Sequence, residues 1–125
     1  MKISLRGLLI SVAALAALSA CGGVSELTKQ QVARSQTAVI QAETTVGNSE
    51  AGALELQKAK DLFADAQRQM EAKNETRAQR LATEAELEAQ LAIAKTQNAN
   101  ARRAADELLA SIQTLRQEAE RPSAR

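Results

Sequence analysis

The chain has 125 residues with 16 basic and 15 acidic side chains, no Trp or Tyr, no His, and a single Phe, Pro and Cys. That length suits one domain rather than two, and a near-neutral charge without aromatic interleaving excludes a nucleic-acid surface, which needs a basic field and stacking platforms. Without His, neither Ser/His/Asp nor Cys/His constellations can be built and the commonest metal ligand is missing, so catalysis, a cofactor, a bound metal and a small-molecule substrate are not expected.

The first element is a targeting segment. Lys2 and Arg6 make a short positive start, and residues 8–17 form an uncharged apolar run after it. The run falls short of the ~20 residues a spanning helix needs but suits the apolar region of a signal peptide. It ends in Leu18-Ser19-Ala20-Cys21, which resembles the bacterial lipobox: a branched apolar residue, two small residues and the cysteine that receives a diacylglyceryl group. The resemblance implies that residues 1–20 are a lipoprotein signal peptide and that Cys21 becomes the lipidated first residue. Each buried methylene contributes ~0.8 kcal/mol, so several acyl chains anchor stably where one does not. A thiol consumed as thioether leaves no disulfide framework. Gly22, rather than Asp, stands after the cysteine, which resembles lipoproteins forwarded to the outer membrane, facing the periplasm. With Lys2 and Arg6 set aside, the remaining chain is close to neutral.

Residues 21–25 read as a short lipidated tether, flexible through Gly22 and Gly23. Ala, Gln, Glu and Arg dominate the rest of the chain, all strong helix formers, and Pro122 is the only proline. The helical domain is therefore expected over 26–120, with a tail over 121–125. A first helix runs from about Val24 to Val46, where Val32, Val39 and Val46 recur every seven residues with Ser35 and Ala42 between them. Gly47-Asn48-Ser49-Glu50-Ala51-Gly52 interrupts it. A second helix is expected over about 53–72, with Leu56, Ala59, Phe63, Ala66 and Met70 on one face. Phe63 and Met70 read as fillers between helices.

Lys73-Asn74-Glu75 is the next break. There Asn74 can take the left-handed conformation or cap the third helix, whose positive end Glu75 favours. That third helix is the longest, about 76–120, and ends before Pro122, which disfavours helix in its predecessor. Ala78, Ala82, Ala85, Ala89 and Ala92 line its first half. A second stripe carries Leu87, Leu91, Ala94, Asn98, Ala101, Ala105, Leu108, Ile112 and Leu115, a sustained seven-residue repeat. A polar Asn98 in such a stripe can fix register and partner number.

The fold class is thus all-α, as an antiparallel helical hairpin or a three-helix bundle, with a long C-terminal coiled-coil-like helix. If the first break is only a kink, residues 24–72 form one arm against 76–120. If it is a full turn, three helices stack and the third projects past the others. The bundle is preferred because each glycine weakens helix continuity by ~1 kcal/mol.

The stretch from Ala66 to Ala89, with its turn at 73–75 and Leu81-Ala82, Ala85 and Ala89 beyond it, resembles the Ala-rich helical envelope lipoproteins of unknown function often found ahead of OmpA-like domains. The resemblance extends over about 24–100 and implies an envelope location and a helical fold, without an activity. The chain departs from that pattern in lacking a glycine and an aromatic at the turn and the Ala-Pro start of the second helix. A weaker resemblance is to the murein lipoprotein, a lipidated coiled coil joined to the wall through a C-terminal Lys. Ser123-Ala124-Arg125 offers no such amine, so covalent linkage is not expected.

The remaining polar constellations are carboxylate pairs, Asp61 with Asp65 and Glu84 with Glu88, which could hold a divalent cation but read as solvated faces. Arg102 with Asp106, Arg103 with Glu107, and Arg116 with Glu120 stand at ion-pair spacing, worth ~0.3–0.5 kcal/mol each. The expectation is an outer-membrane lipoprotein with a structural or adaptor role through helix–helix association. Its membrane contact is the lipid on Cys21. Its partner seam is Ala101, Ala105, Leu108, Ile112 and Leu115, meeting either a second copy or another envelope protein. The alternative is a non-covalent binding module for peptidoglycan or another envelope polymer.

Overall fold

The computed structural model describes residues 23–121. The signal peptide over 1–20, the lipobox with Cys21, and the tail beyond Arg121 lie outside the described residues. Three helices occur in order: α1, Glu26–Val46; α2, Ala53–Glu71; and α3, Glu75–Glu120. The first break is a full turn, and all three helix pairs pack against one another. The fold is therefore the preferred three-helix bundle and not the alternative kinked hairpin.

The turn works through its two glycines. Gly47 caps α1 at φ 50° and ψ −120°, with its N–H bonded to Glu43 O at 3.0 Å, a backbone region that glycine reaches without a Cβ penalty. Gly52 opens α2 at φ 84°. A Cβ there would strike the carbonyl oxygen of Ala92 and lie 2.8 Å from Thr96 Oγ1. Backbone therefore touches backbone at this end of the bundle, and Thr96 Oγ1 donates to Ala51 O across the same contact.

The second break is a Schellman turn. Asn74 N–H bonds to Gln69 O at 2.9 Å and Lys73 N–H to Met70 O at 3.0 Å. The left-handed residue is Lys73, at φ 58°, not Asn74. Asn74 takes the N-cap position of α3 without a side-chain cap, its amide donating instead to Gln69 Oε1 at 3.1 Å. The position that needs φ > 0 is the one after the last helical carbonyls are closed, and chain length across the turn places Lys73 there.

The core is thin and built from small residues. Its buried apolar members are Val32, Val39, Val46, Ala42, Ala59, Ala66 and, on α3, Ala78, Ala82, Ala85, Ala89 and Ala92. Leu56 and Phe63 pack on the cluster of Val39, Val46 and Ala89, while Phe63 and Met70 also cover the cluster of Val32, Ala66 and Ala82. Alanine stripes let helix axes approach toward the short end of the ~8–10 Å range, at the cost of little apolar area per residue.

Helix directions are set out by the contacts. Thr28 at the start of α1 meets Glu75 and Gln79 at the start of α3, and Val46 at the end of α1 clusters with Ala89 and Ala92. So α1 and α3 run side by side in the same direction, with α2 returning between them. At ~1.5 Å per residue the 46 residues of α3 span about 69 Å. Every residue from Asn100 to Arg121 is exposed, so the last ~30 Å of α3 projects beyond the α1–α2 turn.

Candidate functional site

The exposed stripe of α3 starts inside the bundle, not at its edge. Leu87 is 60% exposed and Leu91 45%, although each stands two residues from a fully buried alanine. Two residues is about 200° around a helix, so the leucines sit on the side away from α1 and α2. Ala94 and Asn98 continue the stripe, also exposed. Beyond the bundle it carries on through Ala101, Ala105, Leu108, Ile112 and Leu115, all exposed, with Leu108 62% open to solvent. The five residues expected as a partner seam therefore lie on one continuous uncovered face. Leu109, also exposed, flanks Leu108 and widens the apolar surface there. Asn98 borders an open groove with Leu54 of α2 and Lys95 and Arg102 of α3.

A second site is invisible to sequence patterning. Ser25 caps α1, its Oγ accepting from Thr28 N–H at 3.4 Å, so the expected tether over 21–25 ends in a fixed residue. Glu75, in the first turn of α3, accepts from Ser25 N–H at 3.0 Å, from Thr28 Oγ1 at 2.8 Å, and from Ser25 Oγ. Gln79 donates to Thr28 Oγ1 at 2.7 Å. The Ser25 and Thr28 hydroxyls and the Ser25 N–H together hold the Glu75 carboxyl below its ordinary value. The carboxylate also sits where the positive ends of two helices converge. Its role is structural: it ties the start of α1 to the α2–α3 turn. The Ser25-x-x-Thr28 spacing signals a cap, but nothing local points to a carboxylate 50 residues away.

Ion pairs rim the bundle between helices. Lys60 meets Glu43 at 2.7 Å, Lys58 meets Glu88, and Lys95 meets Glu55. The Lys95 hydrogen bond, with Glu55's own backbone N–H, lowers the Glu55 carboxyl, and the Glu88 contact raises the Lys58 ammonium. Three of the four carboxylates weighed for a cation are held by other partners: Asp65 by Arg68, Asp61 by Gln57 at 3.0 Å, and Glu88 by Lys58. The three Arg–carboxylate pairs expected along residues 102–120 are not among the closed ion pairs of the described residues. Fully solvated long side chains gain little from closing such pairs.

What this arrangement offers chemically is burial. A half-width apolar stripe on a free helix, flanked by cations and amides, presents the surface of a helix that lacks a neighbour.

No curated protein and no solved structure matches the chain. A family match covers residues 30–108, more than half of the sequence. It spans all of α2, nearly all of α1 and α3 as far as Leu108, and it contains the Ala66–Ala89 stretch on which the expected resemblance rests. The chain belongs to the family described as a domain of unknown function, DUF4398.

Proposed function

We propose that this chain is a lipoprotein anchored in the outer membrane through Cys21, facing the periplasm, with a structural or adaptor role exercised through helix–helix association. The observation that carries the reading is the stripe on α3: Leu108, Ile112 and Leu115 sit uncovered on a helix that continues about 30 Å past its own bundle. A helix maintained at that length without a neighbour leaves apolar area in water, at ~25 cal/mol per Å², unless another helix covers it.

The directions of the helices support the tethering part. Ser25, four residues after Cys21, is pinned by Glu75 at the end of the bundle opposite the projection. A lipid on Cys21 would hold that end at the membrane and leave Leu108, Ile112 and Leu115 toward the far end, about 50–60 Å along α3 from Glu75.

In-cell photo-crosslinking from positions 105, 108, 112 and 115 tests the association. The expected result is an adduct from at least two of these positions, its mass identifying either a second copy or a distinct envelope protein. No adduct at any position overturns the reading. The anchor is tested separately: Cys21→Ala should abolish acyl labelling and release the protein from the membrane fraction, and a variant that stays membrane-bound defeats the lipoprotein assignment.

A further inference from the structure

Building on the association reading above, we infer that the occupant of the stripe is a second copy of this chain, with the two α3 helices paired in parallel and in register as a two-stranded coiled coil from Leu87 to Ala119.

The stripe advances by alternating steps of four and three without a break. Leu87, Ala94, Ala101, Leu108 and Leu115 fall at d positions of a heptad; Leu91, Asn98, Ala105, Ile112 and Ala119 fall at a. A strict seven-residue repeat on a 3.6-residue helix drifts ~20° per heptad, which a left-handed supercoil absorbs. Ile112 at a, Leu108 and Leu115 at d, and one Asn at a favour two strands over three or four.

The bundle leaves room for the second copy. Around α3, the Leu87, Leu91, Ala94 and Asn98 positions average half a turn from the buried Ala85, Ala89, Ala92 and Thr96. A partner lying along the stripe would meet neither α1 nor α2, and the two bundles would stand on the outside of the pair. Pairing can therefore begin at Leu87, within the bundle, and run on through the projection.

Flanking charge and the Asn98 layer together favour one direction. The e positions are Glu88, Lys95, Arg102, Leu109 and Arg116; the g positions are Gln90, Gln97, Ala104, Ser111 and Glu118. Parallel strands set each e residue beside the g residue five positions earlier in the neighbour, so Lys95 and Arg102 meet amides, Leu109 meets Ala104 and Arg116 meets a hydroxyl. Antiparallel strands over the same span set e beside e: Arg102 falls against Arg102 of the neighbour, Lys95 against Leu109, and Arg116 against Glu88, a carboxylate already held by Lys58. Asn98 adds a second preference. In a parallel in-register pair it faces the Asn98 of the other copy, and the two carboxamides can bond to each other; antiparallel, it faces an apolar d residue and its amide is left unpaired. Parallel pairing also brings both Ser25 ends to the same end of the rod, as two chains anchored in one membrane would require.

Single cysteines test the geometry in the full chain, purified in detergent, with the parent as blank for Cys21. Ala94→Cys and Ala119→Cys stand at opposite ends of the stripe. Each alone should give a disulfide-linked dimer on mild oxidation, because only a parallel in-register pair brings both positions against themselves. Crosslinking at neither site, or at one only, overturns the inference. In sedimentation, Asn98→Ile should retain association but add species above two copies; a single unchanged dimer would remove Asn98 from the mechanism. The two readings fail separately: an in-cell adduct with a different protein and no cysteine dimer rejects the self-pairing and keeps the adaptor, whereas no adduct at all rejects both.

Discussion

The two halves of α3 are one helix with nearly the same composition and two different fates. From Ala78 to Thr96 one face is sealed, with Ala78, Ala82, Ala85, Ala89 and Ala92 all at 0% exposure; from Asn100 onward no described position is covered. The difference is not hydrophobicity, since Leu87 and Leu91 of the first half point outward while the alanines point in, with Leu81 and Ile93 only partly buried at the edge of the core. Close approach decides it. Where the start of α2 comes near enough for Gly52 to touch the Ala92 backbone, α3 buries only small residues, its alanines and Thr96. Leu87 and Leu91 are left on the outer face, so the bundle and the projection share one stripe.

Gly52→Ala should break the sealed half most severely. The substitution forces a Cβ at φ 84° and into the Ala92 carbonyl, which is backbone and cannot swing aside. Left-handed strain and overpacking together give a loss of about 2–4 kcal/mol, read as a lower urea midpoint by circular dichroism in the far ultraviolet. Gly47, also at positive φ but with nothing within 4 Å of an added Cβ, should bear the strain alone, about 1–2 kcal/mol. Equal losses at the two sites would mean that the Gly52 contact does not hold the turn.

A smaller effect belongs to the Glu75 tie. Its folded pKa is depressed by Ser25 and Thr28, so the stability it adds is present above the unfolded glutamate value and is lost as pH falls through the lower, folded one. Thermal melts below the ordinary glutamate pKa should therefore decline less steeply for Glu75→Gln than for the parent. Glu55, depressed by Lys95, remains in both proteins and supplies a common slope. If the two profiles are parallel, the carboxylate is not the link between α1 and α3.

The elements were legible because each has its own stripe. The valine heptad of α1, the Leu56–Met70 face of α2 and the alanines of α3 name their buried sides by spacing alone. Two things were not. Asn74 has the better intrinsic preference for the left-handed turn position, but the Schellman hydrogen bonds to Gln69 and Met70 fix that position one residue earlier, on Lys73. The Ser25–Glu75 link joins residues far apart in sequence, and only the parallel course of α1 and α3 brings them together. For the stripe of α3 the limit is different: periodicity identifies it as a face for another helix, but one chain alone cannot supply that helix.

Lys73 offers a modest gain in the opposite direction. A lysine at φ 58° bears a left-handed penalty that glycine does not. Nothing else in the turn depends on its side chain: the Schellman hydrogen bonds use backbone N–H groups, and Lys73 is exposed. Lys73→Gly should raise stability by roughly 0.5–1 kcal/mol, visible as a higher urea midpoint with an unchanged m-value. A decrease would show that the lysine has a second role at this end of the bundle.

The smallest expected effect on the bundle comes from the largest change on the projection. Leu108→Glu with Ile112→Glu alters two exposed residues beyond the reach of α1 and α2, so the stability of the sealed half should move by no more than about 0.5 kcal/mol. The same double substitution places carboxylates at successive d and a positions of the stripe, where any covering helix would have to bury them unpaired. Sedimentation at fixed concentration should then show lost association while the bundle still unfolds at its parental midpoint. A shifted midpoint with unchanged association would reverse the assignment, making the projection part of the folded core and leaving the stripe without a partner. Loss of one and retention of the other is the result that separates the two halves of α3 energetically as well as by burial.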